Sequence, residues 1–352
     1  MLNFHFLPHK DAQLLKLWLV ISSVMIFLMV IIGGATRLTG SGLSMVEWQP
    51  LNFFPPVTEN EWIKEFLKYQ AFPEFKLINS WMELSDFKQI YWLEYFHRLW
   101  GRIIGIVFFL PFVYFYLSKK IQGPLLYSLV FLLFLGVLQG FLGWFMVSSG
   151  LINNPDVSQY RLAAHLSLAF LIYGLIIWII PGIKSNKAIQ KNRSFSDPSN
   201  LFVFSSACTI LTLIVVIAGA FVAGLDAGLI FNTFPLMDNE IIPNGIYEMN
   251  PWYLNFFEDI MTVQFNHRLL ALLLVISIVT LTIKIIYTKP TPQIKVLAII
   301  LAFVAIFQMC LGIGTLLLVV PIWLAIFHQS FALILFTISI LLSRYIYNER
   351  FF

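Results

Sequence analysis

This sequence predicts an all-α integral membrane protein with eight transmembrane helices, arranged as two parallel-repeat four-helix bundles. Three observations carry that expectation. The chain is 59% hydrophobic and 11% charged, where a soluble chain carries about 25% charged residues, and its mean hydropathy is +0.83. Eight apolar stretches each reach the roughly 20 residues that a bilayer-spanning helix needs. The polar residues interrupting those stretches recur in the same order in both halves of the chain.

The eight segments run over about 15–36, 93–117, 125–147, 161–182, 201–224, 261–286, 296–318 and 322–343. The first continues into Gly33-Gly34 without a small-residue cleavage site, so no cleavable signal peptide is expected. Between the first two, Glu59 to Gln70 reads as an amphipathic helix. It has Trp62, Phe66 and Tyr69 at helical spacing and is expected on the outer membrane surface or as a cap on the bundle. Its aromatic residues suit an interface and need no ligand to explain them.

Loop charge sets the orientation. With eight spans, thirteen basic residues fall on one side: Lys10, Lys16, Lys119, Lys120, Lys184, Lys187, Lys191, Arg193, Lys284, Lys289, Lys295, Arg344 and Arg350. The opposite connection, 225–260, has Asp226, Asp238, Glu240, Glu248, Glu258 and Asp259 and no Lys or Arg. Both termini are therefore expected to be cytoplasmic. The net charge of +4 is scattered over membrane connections and does not point to nucleic acid. Cys208 and Cys310 both fall inside apolar segments, which excludes an outer-loop disulfide and metal-ligand spacing.

The repeat reads as follows. Span two has Phe96-His97-Arg98-Leu99 and span six Asn266-His267-Arg268-Leu269. Span three has Gln139 to Gly143 and span seven Gln308 to Gly312. Span four has His165-Leu-Ser-Leu-Ala169 and span eight His328-Gln-Ser-Phe-Ala332. Span one has Ile32-Gly-Gly-Ala35 before Gly42-Leu43, and span five Ile217-Ala-Gly-Ala220 before Gly228-Leu229. This divides the chain into halves at 1–190 and 191–352. An even number of helices per half gives both the same orientation, with the pseudo-axis along the membrane normal.

Four of the six histidines, His97, His165, His267 and His328, belong to this repeat, four to seven residues inside the even-numbered spans; His5 and His9 sit in a polar tail. A single buried histidine often just bonds a neighbouring helix. Four at one depth, in two related pairs, point to function, because membrane histidines face the bundle interior. Two axial imidazoles from facing helices can hold a haem iron. The pairing expected is His97 with His165 and His267 with His328, one porphyrin per half. A di-iron carboxylate site is disfavoured, since it needs more glutamates.

The asymmetry is as informative. Glu94 stands three residues before His97, whereas Gln264 precedes His267 at the matching place. A carboxylate at membrane depth costs a few kcal/mol. It is explained either by an ion pair with Arg98 at i+4 or by proton or cation chemistry confined to the first half. Arg98, Arg102 and Arg268 suit two uses equally, snorkelling to the outer interface or pairing with haem propionates. Gly33, Gly34, Gly136, Gly140, Gly143, Gly312 and Gly314 are expected to allow close helix packing rather than to meet a ligand.

Together these residues resemble the haem A synthase family. Gly33 to Ser44, followed by Glu47-Trp-Gln-Pro50, looks like the end of that family's first helix. Glu94-Tyr-Phe-His97-Arg98, His165, Asn232 to Leu236, Asn266-His-Arg268 and His328-Gln329 are similar to its remaining motifs, in order. The resemblance implies a multi-pass enzyme of the cell inner membrane. It would oxidise the C8 methyl of haem O to a formyl group by two successive hydroxylations, giving haem A for cytochrome oxidase. It implies a haem B cofactor with bis-His ligation by His267 and His328, substrate haem at His97 and His165, an essential role for Glu94, and cofactor contacts from Arg98 and Arg268. Some bacterial members have a cysteine pair in an outer loop of the first half. This chain instead has a long 1–2 loop, as in the alphaproteobacterial and mitochondrial-type branch. Candidate partners are the lipid bilayer, a haem O synthase, an electron acceptor and a second copy of the chain. Two rival functions fit parts of the pattern: a di-haem electron-transfer protein of quinol-oxidising cytochrome type, and a haem or small-solute transporter.

Overall fold

A computed structural model describes residues 7–49, 53–151, 155–183, 198–288 and 290–351. His5, Pro50, Lys184, Lys187, Lys191, Arg193, Lys289 and the 190/191 boundary lie outside them. Ten α-helices occur among the described residues. They are α1 (His9–Leu38), α2 (Glu59–Gln70), α3 (Pro73–Leu77), α4 (Leu84–Leu117), α5 (Gly123–Gly150), α6 (Gln159–Ile179), α7 (Pro198–Gly224), α8 (Ile260–Tyr287), α9 (Pro292–Leu317) and α10 (Ile322–Phe351). Eight are long and apolar enough to cross a membrane, namely all but α2 and α3. Large apolar side chains such as Leu110, Val137 and Phe303 stand exposed on their outward faces, as a lipid-facing girdle requires.

The spans fall about where apolar run length places them, but α1 begins earlier, at His9, α10 runs on to Phe351, and α4 differs most. α4 begins at Leu84, about nine residues before the apolar run, so His97 lies more than three turns inside it. The other three histidines stay within about two turns of their helix starts. The early turns of α4 carry Asp86, Lys88 and Gln89, which hide them from a hydropathy reading. Their other face is buried: Phe87 and Tyr91 pack beneath Trp62 and Tyr69 of α2.

α2 thus caps the bundle instead of lying apart from it. Its start is set by a capping box, in which Thr58 accepts from the Glu61 amide while the Glu61 carboxylate accepts from the Thr58 amide.

Helices pack in chain-order pairs: α1 on α4, α5 on α6, α7 on α8 and α9 on α10. These pairs join along a seam where α6 packs on α7 and α10, and α1 on α10. There the Tyr173 and Thr337 hydroxyls bond at 2.7 Å. Gly174 lets Phe336 approach so closely that a Cβ on it would lie 2.9 Å from the ring. Gln329 donates to the Val30 carbonyl at 2.8 Å. One apolar core accordingly joins residues of α1, α4, α5 and α6 to Leu333, Phe336 and Ile340 of α10. Lys120 pairs with Asp11 at 2.8 Å, which puts the α4–α5 connection at the end of the bundle where α1 starts.

Candidate functional site

The chain leaves α1 through a turn that needs its glycine: Gly40 has φ +64°. Ser41 N donates back to the Thr36 carbonyl at 2.9 Å, and the Thr39 and Ser41 hydroxyls bond at 2.7 Å. That turn carries Ser44 and Met45 onto α4. Ser44 Oγ and Met45 N both donate to Glu94 Oε2 at 2.7 Å. Arg98 donates to Oε1 through Nε at 2.9 Å and Nη2 at 2.5 Å. It also donates to the carbonyls of Met45 at 2.6 Å and Glu47 at 2.9 Å. Glu94 is 2% exposed, with both oxygens engaged. Four donors, two of them cationic, offset much of the cost of burying a carboxylate.

A similar clamp on α8 has an amide in place of the carboxylate. Arg268 Nη2 donates to Gln264 Oε1 at 3.0 Å and to the Phe231 carbonyl at 2.6 Å, and Nη1 to the Thr233 carbonyl at 2.8 Å. Gln264 Nε2 donates to the Ala227 carbonyl at 2.8 Å. Asn232 ties the same connection to Gly228 and to Leu316 at the end of α9. Arg98 and Arg268 thus have a third use besides the two expected: they fasten a long connection to the helix below it. Arg102 shares it, donating to the Gln49 carbonyl at 2.8 Å.

Each of the four histidines faces a glycine on a neighbouring helix. A Cβ on Gly33 would lie 3.2 Å from His97 Nε2; one on Gly143 or Gly219 would lie 3.1 Å from Cε1 of His165 or His267, and one on Gly312 2.8 Å from Cε1 of His328. A methyl group at any of them crowds the imidazole, so these glycines set the depth to which each ring withdraws into the wall. Gly136 and Gly140 border open space, with nothing within 4 Å of a Cβ. The expectation that the glycines serve helix packing therefore holds for Gly34, which meets Gln329, but not for these.

Two glutamines support the rings. Gln139 Nε2 lies 3.3 Å from the His165 ring nitrogens and donates to the His165 carbonyl at 3.1 Å. Gln308 Nε2 lies 3.1 Å from His328 Nδ1 and donates to its carbonyl at 2.9 Å. Oε1 of each is buried without a partner.

All four histidines, with Glu94, Arg98, Gln264 and Arg268, line one continuous cavity of about 2220 Å³. That is roughly twice the upper end of the usual ~300–1,000 Å³ range for ligand pockets. His97, His165, His267 and His328 all contribute to the wall of this one space. Among the described residues no three of His, Cys, Asp or Glu converge on a bare metal ion. An iron already held by four porphyrin nitrogens needs only the axial pair.

Sequence reasoning missed several members of this site. Ser44, the supporting role of Gln139 and Gln308, and the place of Gly219 behind His267 all depend on contacts between helices. Glu74 and Asn79, which also line the cavity, gave no sequence signal. Cys208 is buried and Cys310 exposed, both as free thiols.

The chain is similar to known proteins over nearly its whole length. Residues 16–340 match the family model described as Cytochrome oxidase assembly protein, COX15-CtaA. A Heme A synthase of Nitrosospira multiformis is 45% identical over 342 residues, covering 95% of this chain and 95% of the relative. A Heme A synthase of Nitrosomonas eutropha is 44% identical, covering 94% of this chain and 93% of its own. One from Wolbachia pipientis subsp. Culex pipiens is 44% identical, covering 96% and 99%. With the family model spanning most of its length and relatives well above 40% identity at near-full coverage, the chain belongs to the cytochrome oxidase assembly protein family that includes the heme A synthases.

Proposed function

We propose that this chain is a haem A synthase, an oxidoreductase that converts the C8 methyl of haem O to a formyl group by two successive hydroxylations. The observation that carries the reading is one cavity faced by four glycine-backed histidines in two pairs, with a buried carboxylate beside only one pair. The matching packing of α1–α4 with α7–α8, and of α5–α6 with α9–α10, supports two parallel four-helix halves, 1–190 and 191–352.

The residues fit a porphyrin in each half. The cavity has room for two large flat ligands, and Gly136 and Gly140 leave its wall open. The side-chain amides of Gln139 and Gln308 stand beside the rings of His165 and His328 and bond the backbone carbonyls of the same residues, so each ring has a neighbour that can hold its orientation. His267 and His328 would hold haem B, which supplies one-electron redox chemistry when bound. His97 and His165 would hold the substrate haem O.

Glu94 and Arg98 fix the connection after α1 against α4 and place an ion pair, with its carboxylate, on the cavity wall. There the charge stabilises positive charge developing on the substrate edge. In the second half Gln264 keeps the geometry without that charge, which suits a fixed cofactor. A di-haem carrier gives the difference between Glu94 and Gln264 no purpose.

The loop charges support an inner-membrane orientation with both termini cytoplasmic. Oxidation also requires an electron acceptor, and a haem O synthase would supply the substrate. The test is the pigment extracted from purified protein after co-expression with a source of haem O. Haem A together with haem B is the expected result; haem B alone would leave the electron carrier, and no pigment the transporter.

A further inference from the structure

Glu94 is poorly placed to accept a proton. Both of its oxygens are taken by four donors, and Arg98 lies against it. Neither oxygen is left facing the cavity without a partner.

A second carboxylate on the cavity wall differs in each respect. Glu74 stands on α3, is 6% exposed, and among the described residues has no ion pair. The hydrogen bond to its carboxylate comes from Tyr69 Oη at 2.9 Å. Asn79 Nδ2 in turn donates to Tyr69 Oη at 2.8 Å. Glu74 and Asn79 both line the cavity, at the end covered by α2 and α3. Burial pushes the Glu74 carboxyl up to about 7; Tyr69 opposes the rise and the negative charge of Glu94 adds to it.

The ionisable groups around Glu74 are few. α2 presents Tyr69 and α4 presents Glu94, whose charge is met by Arg98. Lys76 of α3 is exposed. Glu47, Glu65 and Lys68 bond to one another in a separate cluster. A carboxyl that is buried, lacks a cation and faces both the reaction space and the cap can change protonation without breaking an ion pair.

We propose that Glu74 is the residue that exchanges protons between the cavity and the water at the capped end, with Tyr69 and Asn79 holding it in place. In one cycle its carboxylate takes a proton from the cavity and becomes a neutral acid. It then releases that proton to water at the edge of the cap and is a carboxylate again. Glu74 makes and breaks no bond to carbon. The proposal rests on the methyl oxidation only for the source of the protons.

The test uses the full-length, haem-loaded protein and two readouts. In infrared spectra titrated with pH, the native protein loses a carboxylic-acid band around pH 7, and E74Q lacks that band. Y69F, which removes a hydrogen bond to the charged form, moves the midpoint up. E94Q, which removes the neighbouring negative charge, moves it down. In turnover, haem A formation by the native protein rises through the same pH. In E74Q it falls by about 100-fold, the low end for losing a proton-transfer group, and loses that rise while bound haem is unchanged. Gln still accepts from Tyr69, so the cap keeps its contact. A band that persists in E74Q, or a native pH profile in that variant, overturns the proposal. A native protein that titrates as described but makes no haem A sinks the methyl oxidation and leaves the proton site standing.

Discussion

The carboxylate of Glu94 lies 2.5 Å from the guanidinium of Arg98, one helical turn further along α4. At the corresponding place in α8, Gln264 receives Arg268 at 3.0 Å. Glu94→Gln should therefore keep an acceptor for Arg98 while deleting the charge and the acceptor for Met45 N. The expected outcome is a drop in haem A of about 100-fold, the scale for removing one preorganised electrostatic group, with haem O accumulating and haem B content unchanged. Chromatography of acid-extracted pigments checks it, and normal haem A output would remove Glu94 from the chemistry.

Alanine at the histidine-facing glycines should separate the two halves. Gly312→Ala brings a methyl group to 2.8 Å from His328 and should cost the resident haem. Gly143→Ala crowds His165 at 3.1 Å and should spare that haem while reducing product. Gly136→Ala meets nothing within 4 Å, so its effect on stability should stay within about 0.5 kcal/mol. Haem stoichiometry by absorbance, alongside thermal melting, distinguishes the three.

The seam between the halves should yield only slightly to loss of one hydroxyl. Tyr173→Phe removes the 2.7 Å bond to Thr337. Interhelical hydrogen bonds in membrane proteins average about 0.6 kcal/mol, and a loss of that size is expected in a denaturation series. A loss several times larger would mean that Tyr173 also positions something else.

The cap should be weakened by alkali. Folding raises the affinity of Glu74 for its proton, so the folded state holds more protons than the unfolded one between pH 4.5 and about 7. Stability contributed by α2 and α3 is then present below that window and falls as pH rises through it. Hydrogen exchange of residues 59–77 at several pH values would show the trend, and Glu74→Gln should flatten it.

Much of this architecture is legible from apolar run length alone, because a membrane span must satisfy its own backbone and so declares its boundaries in composition. The histidine positions are legible for the same reason: a polar ring in an apolar run stands out. The start of α4 is not legible, since Asp86, Lys88 and Gln89 read as loop until the cap above them is known. Nor are the partners of the rings. Gly219 and Gly312 look like ordinary packing glycines, and only the approach of two helices shows which imidazole each one faces. Glu74 is the extreme case, a lone acid in a polar loop whose burial comes from α2 folding over it.

Cys208 is buried and Cys310, on α9, is exposed. Of the two thiols only Cys310 is exposed, on a membrane-spanning helix two residues from Gly312, where a membrane-permeant reagent can reach it. A spin or fluorescent label attached there, with no engineered cysteine and no cysteine removed, would report from beside His328 as the second half takes up its pigment.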